Sequence, residues 1–210
     1  MHNHEIRKAI NHLSKNDKVI STIIKNIGII NLSSTDKYFY ALLRSIIGQQ
    51  LSVHAADTIC DRFMNFFHNK PEPELIIQTD HAVLRGLGLS NAKVRYVKDL
   101  SQKMLSKEIS LKNLSRKTDQ EITDELTKVK GIGVWTVHMF LIFSMKRLNV
   151  LPHSDLGIRK SLMVNYGLRK LPDEKKVNLM AKKNGWHPYC SIVSMYLWRS
   201  LDSNFESILK

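Results

Sequence analysis

Apolar residues in this chain recur at helical spacing, and strict apolar/polar alternation is hard to find anywhere along it. Stretches such as "YFYALLRSII" (38–47) and "IVSMYLWRSL" (192–201) repeat their apolar positions every three or four residues, which lays a stripe along one helix face. A half-buried strand needs a period of two, so the pattern predicts an all-α protein of about ten short helices with brief connections, a helical globule rather than a long bundle. Helix starts agree. Ser33 with Asp36 forms a candidate capping box before residue 37, Thr118 with Glu121 forms another before "ITDELTKV", and Pro172 sits where the first turn of "DEKKVNLMAKK" would begin. At 210 residues the chain can bury a core as one domain, or as one globule of two lobes sharing a cleft.

One turn stands apart from ordinary connections. "KVKGIGVWTVHMFLIF" (128–143) places two glycines two residues apart between a basic lead-in and an almost wholly apolar helix. Glycine tolerates positive φ and carries no Cβ, so N–H groups around Gly131 and Gly133 can face outward at the start of the next helix, where an anion is favoured. Such a cradle would hold a phosphate through backbone and read no base sequence. An ordinary helix–turn–helix connection without a ligand is the commoner reading of an isolated GIG, and the basic chain and flanking lysines shift the balance toward DNA. Ile132 is expected to turn inward and pin the two helices, and Lys128 and Lys130 flank the turn. A similar GxG in "LRGLGLSNAKVRYV" (84–97) reads as a helix C-cap followed by a new start.

Charge narrows the partners. Lys and Arg total 32 against 19 Asp and Glu, a formal net charge of +13, which attracts polyanions, nucleic acid first among them; improved solubility is the plainer reading of the same balance. Only two cysteines occur, Cys60 and Cys190, far apart, so a disulfide framework and a four-thiolate iron–sulfur cluster are both excluded. The histidines show no HExxH or paired zinc spacing. No segment reaches the length of a transmembrane helix, and "MHNHEIRKAI" lacks the apolar run of a secretory signal. With a Lys-, Ile- and Asn-rich composition, this leads to an expectation of cytoplasmic residence in a prokaryote, or nuclear residence in a eukaryote.

Four stretches, in order, resemble one family. "RSIIGQQLSVHAA" (44–56), "LTKVKGIGVWTVHMFLIF" (126–143), "LPHSDLGIRKSL" (151–162) and "NGWHPYCSIVSMYLWR" (184–199) are similar to the helix-hairpin-helix base-excision DNA glycosylases, specifically the DNA-3-methyladenine glycosylase II branch. Together they reach across most of residues 38 to 200. The resemblance implies a monomer in its compact form, with two helical lobes and a cleft between them. One lobe would comprise about 1–32 and 150–210, the other about 33–149 with the hairpin at about 119–143.

The resemblance also implies roles. Asp155, which by itself reads as a helix N-cap, matches the catalytic carboxylate, facing the cleft opposite the hairpin. Trp135 stands where strand-cutting relatives carry a Schiff-base lysine, which implies hydrolysis without a lyase step. Trp135, Trp198 and Tyr189 match aromatic positions of the base pocket, although any one tryptophan taken alone reads better as a large core residue; Trp186 reads as core. Gln50, with Leu51 beside it, matches the residue that fills the hole left by an extruded base. The family branch has an aliphatic side chain there, and "GQQ" also fits a helix break carrying two exposed amides. Backbone carbonyls of Thr127, Val129 and Gly131 match a monovalent cation site for Na⁺ or K⁺. The expected substrate is duplex DNA carrying alkylated bases of the 3-methyladenine and 7-methylguanine type. A non-catalytic hairpin module, with Asp155 as a cap only, and a glycosylase for a different damaged base are the rival readings.

Overall fold

The computed structural model describes residues 2–30, 35 and 37–201, and among these the chain forms twelve α-helices and no strand. In chain order they are α1 His2–Asn16, α2 Lys18–Ile27, α3 Tyr38–Gly48, α4 Val53–Phe66, α5 Pro73–Gln78, α6 His81–Gly86, α7 Asn91–Leu105, α8 Asp119–Leu126, α9 Val134–Met139, α10 Leu156–Asn165, α11 Glu174–Lys183 and α12 Cys190–Arg199. A 3₁₀ turn spans Leu114–Arg116, and a π-helical turn, Phe140–Ser144, follows directly on α9. The capping box expected at Ser33 and Asp36 lies outside the described residues. None of these helices is long and apolar enough to cross a membrane.

The chain divides into two compact units. A central unit is Thr35–Phe140; a terminal unit combines Met1–Ser34 with Leu141–Lys210, so the crossing occurs inside the π-helical turn. In the central unit α7 packs on α5, α3 and α6, while α3 also packs on α4 and α8 on α9. Val94, Val97 and Leu100 of α7 are fully buried at spacings of three, as are Leu42 and Ile46 of α3 at a spacing of four. α8 starts with the capping box read from its sequence: Glu121 N–H donates to Thr118 Oγ1 at 3.2 Å, and Thr118 N–H donates to Glu121 Oε2 at 2.7 Å. Gly86 closes α6, and Ser90 caps α7 by accepting from Lys93 N–H, so the first GxG is a helix end and a fresh start.

The terminal unit is built around α12, buried at every residue from Cys190 to Leu197 and packed against α10, α2 and α1. A helix buried on all sides must satisfy its own polar groups. Ser191 Oγ donates to the Arg147 carbonyl at 2.6 Å and receives Val150 N–H at 2.9 Å; Tyr196 OH donates to the Gly28 carbonyl at 2.9 Å. Burial pushes the Cys190 thiol up to about 12, which removes it from thiolate chemistry at neutral pH. α11 starts two residues later than expected. Asp173 is its cap, accepting from Lys176 N–H at 2.7 Å, and Pro172 stands just ahead of the cap, because the carboxylate satisfies an orphan N–H that proline cannot.

Asp17 ties the early and late parts of this unit together. Its Oδ1 caps α2 by accepting Val19 and Ile20 N–H at 2.9 and 3.1 Å, and its Oδ2 accepts Tyr166 OH at 2.5 Å and Trp186 Nε1–H at 2.7 Å. Burial first, and the bond to Asp17 second, raise the Tyr166 hydroxyl far above the usual phenol range. Trp186 is a core residue, as its sequence suggests, and its one polar atom is spent on this carboxylate. Asp17→Ala would leave a half-buried hydroxyl and a buried indole N–H without this acceptor and remove a helix cap. The expected loss is about 3–5 kcal/mol of unfolding free energy in urea titrations, against about 1 kcal/mol for Tyr166→Phe.

Candidate functional site

The hairpin belongs to the central unit. α8 ends at Leu126, the chain turns through residues 127–133, and α9 begins at Val134 with Gly133 as its N-cap. Gly131 has φ 84°, and a Cβ there would stand 2.2 Å from Cδ2 of Tyr96, so only glycine fits. Gly133 differs. Its φ is −97° and an added Cβ would meet nothing within 4 Å, so the fold itself leaves this position open toward the outside. Ile132 is 4% exposed, and its N–H closes on the Val129 carbonyl at 3.0 Å. That bond withdraws Ile132 from any outward row of amides, a correction to the cradle read from sequence. Lys128 and Lys130 are exposed, as is Trp135 at 45%.

α7 supports this turn from one face. Tyr96 closes on Gly131, and Asp99 Oδ2 accepts Lys130 N–H at 2.8 Å, while Lys93 Nζ donates to the Ile47 carbonyl of α3 at 2.8 Å. Positions 93, 96 and 99 are three apart, which places them in one row on the helix. Between α3 and α4 lies the turn carrying Gln49, Gln50 and Leu51. Gln50 is exposed with φ 57°, a left-handed conformation that is unfavourable outside glycine, and Leu51 is 37% exposed. Gln49 points the other way: its Nε2 donates to the Gly131 carbonyl at 2.7 Å. The structure therefore brings the wedge candidates and the hairpin candidates into one hydrogen-bonded neighbourhood of the central unit.

Asp155 belongs to the terminal unit and caps α10. Its Oδ1 accepts Ile158 N–H at 2.8 Å and also Trp198 Nε1–H at 2.8 Å, so the side chain does more than cap. Asp155 as a whole is 9% exposed. Trp198 in turn stacks on Phe143, ring centroids 5.7 Å apart at 29°, and Phe143 is 45% exposed. Gly157 keeps the arrangement closed, since a Cβ there would come within 3.0 Å of both Asp155 Oδ1 and Trp198 Cδ1. A fixed carboxylate beside a stacked aromatic pair can stabilise positive charge and hold a flat, electron-poor ring.

Tyr189 does not join this group. It precedes α12, where it meets His12 edge-on at 5.3 Å, whereas Trp198 sits near the helix's far end, about 13 Å along the axis. Sequence reasoning missed Phe143, because it lies within an apolar run and only the π-helical turn separates its exposure from its buried neighbours Leu141 and Ile142. Gln49 was also passed over; its adjacency to Gln50 was the available signal. Among the described residues no group of three or more His, Cys, Asp or Glu side chains converges to hold a metal ion. The carbonyls of Val129 and Gly131 already accept Ile132 N–H and Gln49 Nε2–H, and each keeps a second lone pair.

Comparison with known proteins bears on this arrangement. Residues 43–185 match the family described as HhH-GPD superfamily base excision DNA repair protein. DNA-3-methyladenine glycosylase 1 of Schizosaccharomyces pombe is 33% identical over 201 residues, covering 93% of this chain and 87% of the relative. The solved structure of the Schizosaccharomyces pombe 3-methyladenine DNA glycosylase in complex with abasic DNA superposes with a TM-score of 0.82 at 33% identity, over 92% of this chain and 96% of that one. A DNA-3-methyladenine glycosidase structure from Bacillus halodurans gives 0.82 at 29% identity, over 94% and 91%.

The contact of Trp198 with Asp155 is open to direct measurement. Gly157→Ala forces the two side chains apart by a few tenths of an ångström, so the indole N–H resonance of Trp198 should shift upfield as its bond lengthens, while that of Trp186 on Asp17 stays in place. Identical spectra for the two proteins would mean that the site absorbs the methyl group elsewhere.

Proposed function

The chain belongs to the HhH-GPD superfamily of base excision DNA repair proteins, and on that premise we propose that it extrudes an alkylated base from duplex DNA and hydrolyses its glycosidic bond without cutting the strand. It is a DNA glycosylase for alkylated bases of the 3-methyladenine type. The observation that carries the mechanism is Asp155, a carboxylate oriented through Oδ1 by two N–H donors beside an aromatic stack.

In the proposed reaction the electron pair of the C1′–N bond leaves with the base, and positive charge develops on the deoxyribose. A water adds to C1′ and gives up a proton to solvent. Asp155 supplies the negative charge that stabilises the sugar and orients the water. No second acid is needed, because 3-methyladenine is cationic in DNA and departs neutral. Trp198 and Phe143 would attract such a base through stacking and cation–π forces of about 0.5–2 kcal/mol, which favours it modestly over a normal base. Trp135, in the other unit, offers a further exposed aromatic face. A lyase step requires an amine for the Schiff base, and Trp135 has none at the position where strand-cutting relatives carry lysine.

The hairpin's part is to hold the backbone. Lys128 and Lys130 would neutralise phosphates, and the open space at Gly133 would let a phosphate approach the amides of the turn. Gln50 and Leu51 would enter the base stack in place of the extruded nucleotide. Thr127, Val129 and Gly131 would hold Na⁺ or K⁺ through neutral carbonyl oxygens, a donor set without carboxylate that suits a monovalent ion, and the cation would draw a phosphate toward the turn. Such a substrate would put the protein with chromosomal DNA, in the cytoplasm of a prokaryote or the nucleus of a eukaryote, and the proposed reading has it act there as a monomer.

Single-turnover excision on duplex DNA containing 3-methyladenine or 7-methylguanine tests this. Wild-type protein should release the base and leave strand breaks only after alkali. Asp155→Asn should lower the rate by at least about a hundredfold with DNA affinity unchanged. Tight salt-dependent binding with no released base would instead make the protein a DNA grip. Gly133→Asp should weaken binding to all duplexes alike and reduce the salt slope by about one; a loss confined to some sequences would remove the hairpin from the phosphate backbone.

A further inference from the structure

Two turns of the central unit, each assigned above to a different task on DNA, are joined by one side chain. Gln49 ends α3, and its Nε2 reaches the Gly131 carbonyl at 2.7 Å, a bond between residues 82 apart in sequence. The next residue, Gln50, is held in the left-handed conformation with its side chain exposed, and Leu51 N–H returns to the Gly48 carbonyl at 3.2 Å, so the turn is sharp and strained at its tip. Behind both turns stands the same row of α7: Lys93 donates to the Ile47 carbonyl at the end of α3, Tyr96 packs on Gly131, and Asp99 accepts Lys130 N–H. Lys103 steadies Asp99 at 3.4 Å. α7 thus braces each turn from behind, and Gln49 bridges them by side chain to backbone.

We propose that Gln49 is a positioning residue that ties the wedge turn to the hairpin, so that gripping a phosphate and presenting Gln50 and Leu51 to the base stack are one rigid event. This rests on the glycosylase reading above. Extrusion replaces a stacked base by a protein side chain, and the replacement succeeds only if the wedge arrives at a fixed distance from the gripped backbone. Were the turns separate, the strained tip at Gln50 could relax when the hairpin engaged DNA. A hydrogen bond of 2.7 Å to the very carbonyl that follows the tight Gly131 turn fixes that distance without adding bulk to the DNA-facing side. The donor is what matters: glutamate has the same shape but no N–H to offer, and it would set a carboxylate oxygen against the carbonyl.

Gln49→Glu and Gln49→Ala separate a tie from mere filling. In the free proteins, amide hydrogen exchange should quicken at residues 48–52 and 129–133 in both variants and stay unchanged in α5 and α12; unaltered exchange at the two turns overturns the proposal. On DNA, single-turnover excision should fall roughly tenfold when the lesion is paired in the duplex. The deficit should shrink to about twofold when it lies opposite an abasic gap, where extrusion is easier. An equal deficit in both contexts, or none, also overturns it. Failure of the wild-type protein to release any base would count against the glycosylase reading, and the exchange measurement would still decide whether Gln49 ties the turns.

Discussion

One buried carboxylate closes the terminal unit. Asp17 accepts bonds from Tyr166 and Trp186, partners 149 and 169 residues away in sequence, while capping the helix that begins beside it. A chain that leaves a unit, builds another of about a hundred residues and then returns must recover the loop-closure entropy of that excursion through contacts between its two ends. Apolar burial along α12 supplies most of the driving force, since each fully buried aliphatic or aromatic side chain contributes about 2 kcal/mol. It is non-directional, however. Asp17 adds direction: its four partners allow one register of α2 against the late helices, and any other register strands a charge in the core. Asp155 and Trp198 stand on two of those late helices, α10 and α12, so the site's geometry inherits that register.

The central unit solves a different problem. Its hairpin turn closes on itself through Ile132 N–H to the Val129 carbonyl, and a packed element must hold the rest of it rigid. α7 does so, as a helix whose buried face, Val94, Val97 and Leu100, anchors it in the core while the row at 93, 96 and 99 carries two hydrogen bonds and one ring to loops on either side. Support from a packed helix lets loops hold functional conformations that their own sequence would not maintain.

Much of this was legible in the sequence, and the parts that were not share a cause. Helical class follows from apolar spacing alone, and the Thr118–Glu121 cap from residue types at fixed offsets, because both are local properties. The four family-like stretches located the hairpin and the carboxylate segment by likeness. What spacing cannot express is which end of a helix a residue occupies relative to its neighbours on other elements. Tyr189 and Trp198 read as companions on one tryptophan-rich segment, yet the first precedes the helix and meets α1 while the second lies near its far end. Phe143 looked like one more apolar residue; a π-helical turn, invisible to a period of three or four, brings its ring onto Trp198. Gln49 was hidden because its partner is a backbone carbonyl, which no residue type announces.

The two glycines of the GIG turn answer to different masters. Gly131 is demanded from within, by a positive φ and by the ring of Tyr96, so any replacement meets the fold before it meets a ligand. Gly133 has an ordinary φ, and a Cβ there would meet nothing within 4 Å. A library of variants screened only for expression or thermal resistance would therefore find the first position closed and the second permissive. On the proposed phosphate role, selection in the presence of the polyanion would expose a constraint there, and the pair could then serve as an internal gauge, one residue reporting on folding and its neighbour on what the folded surface is for.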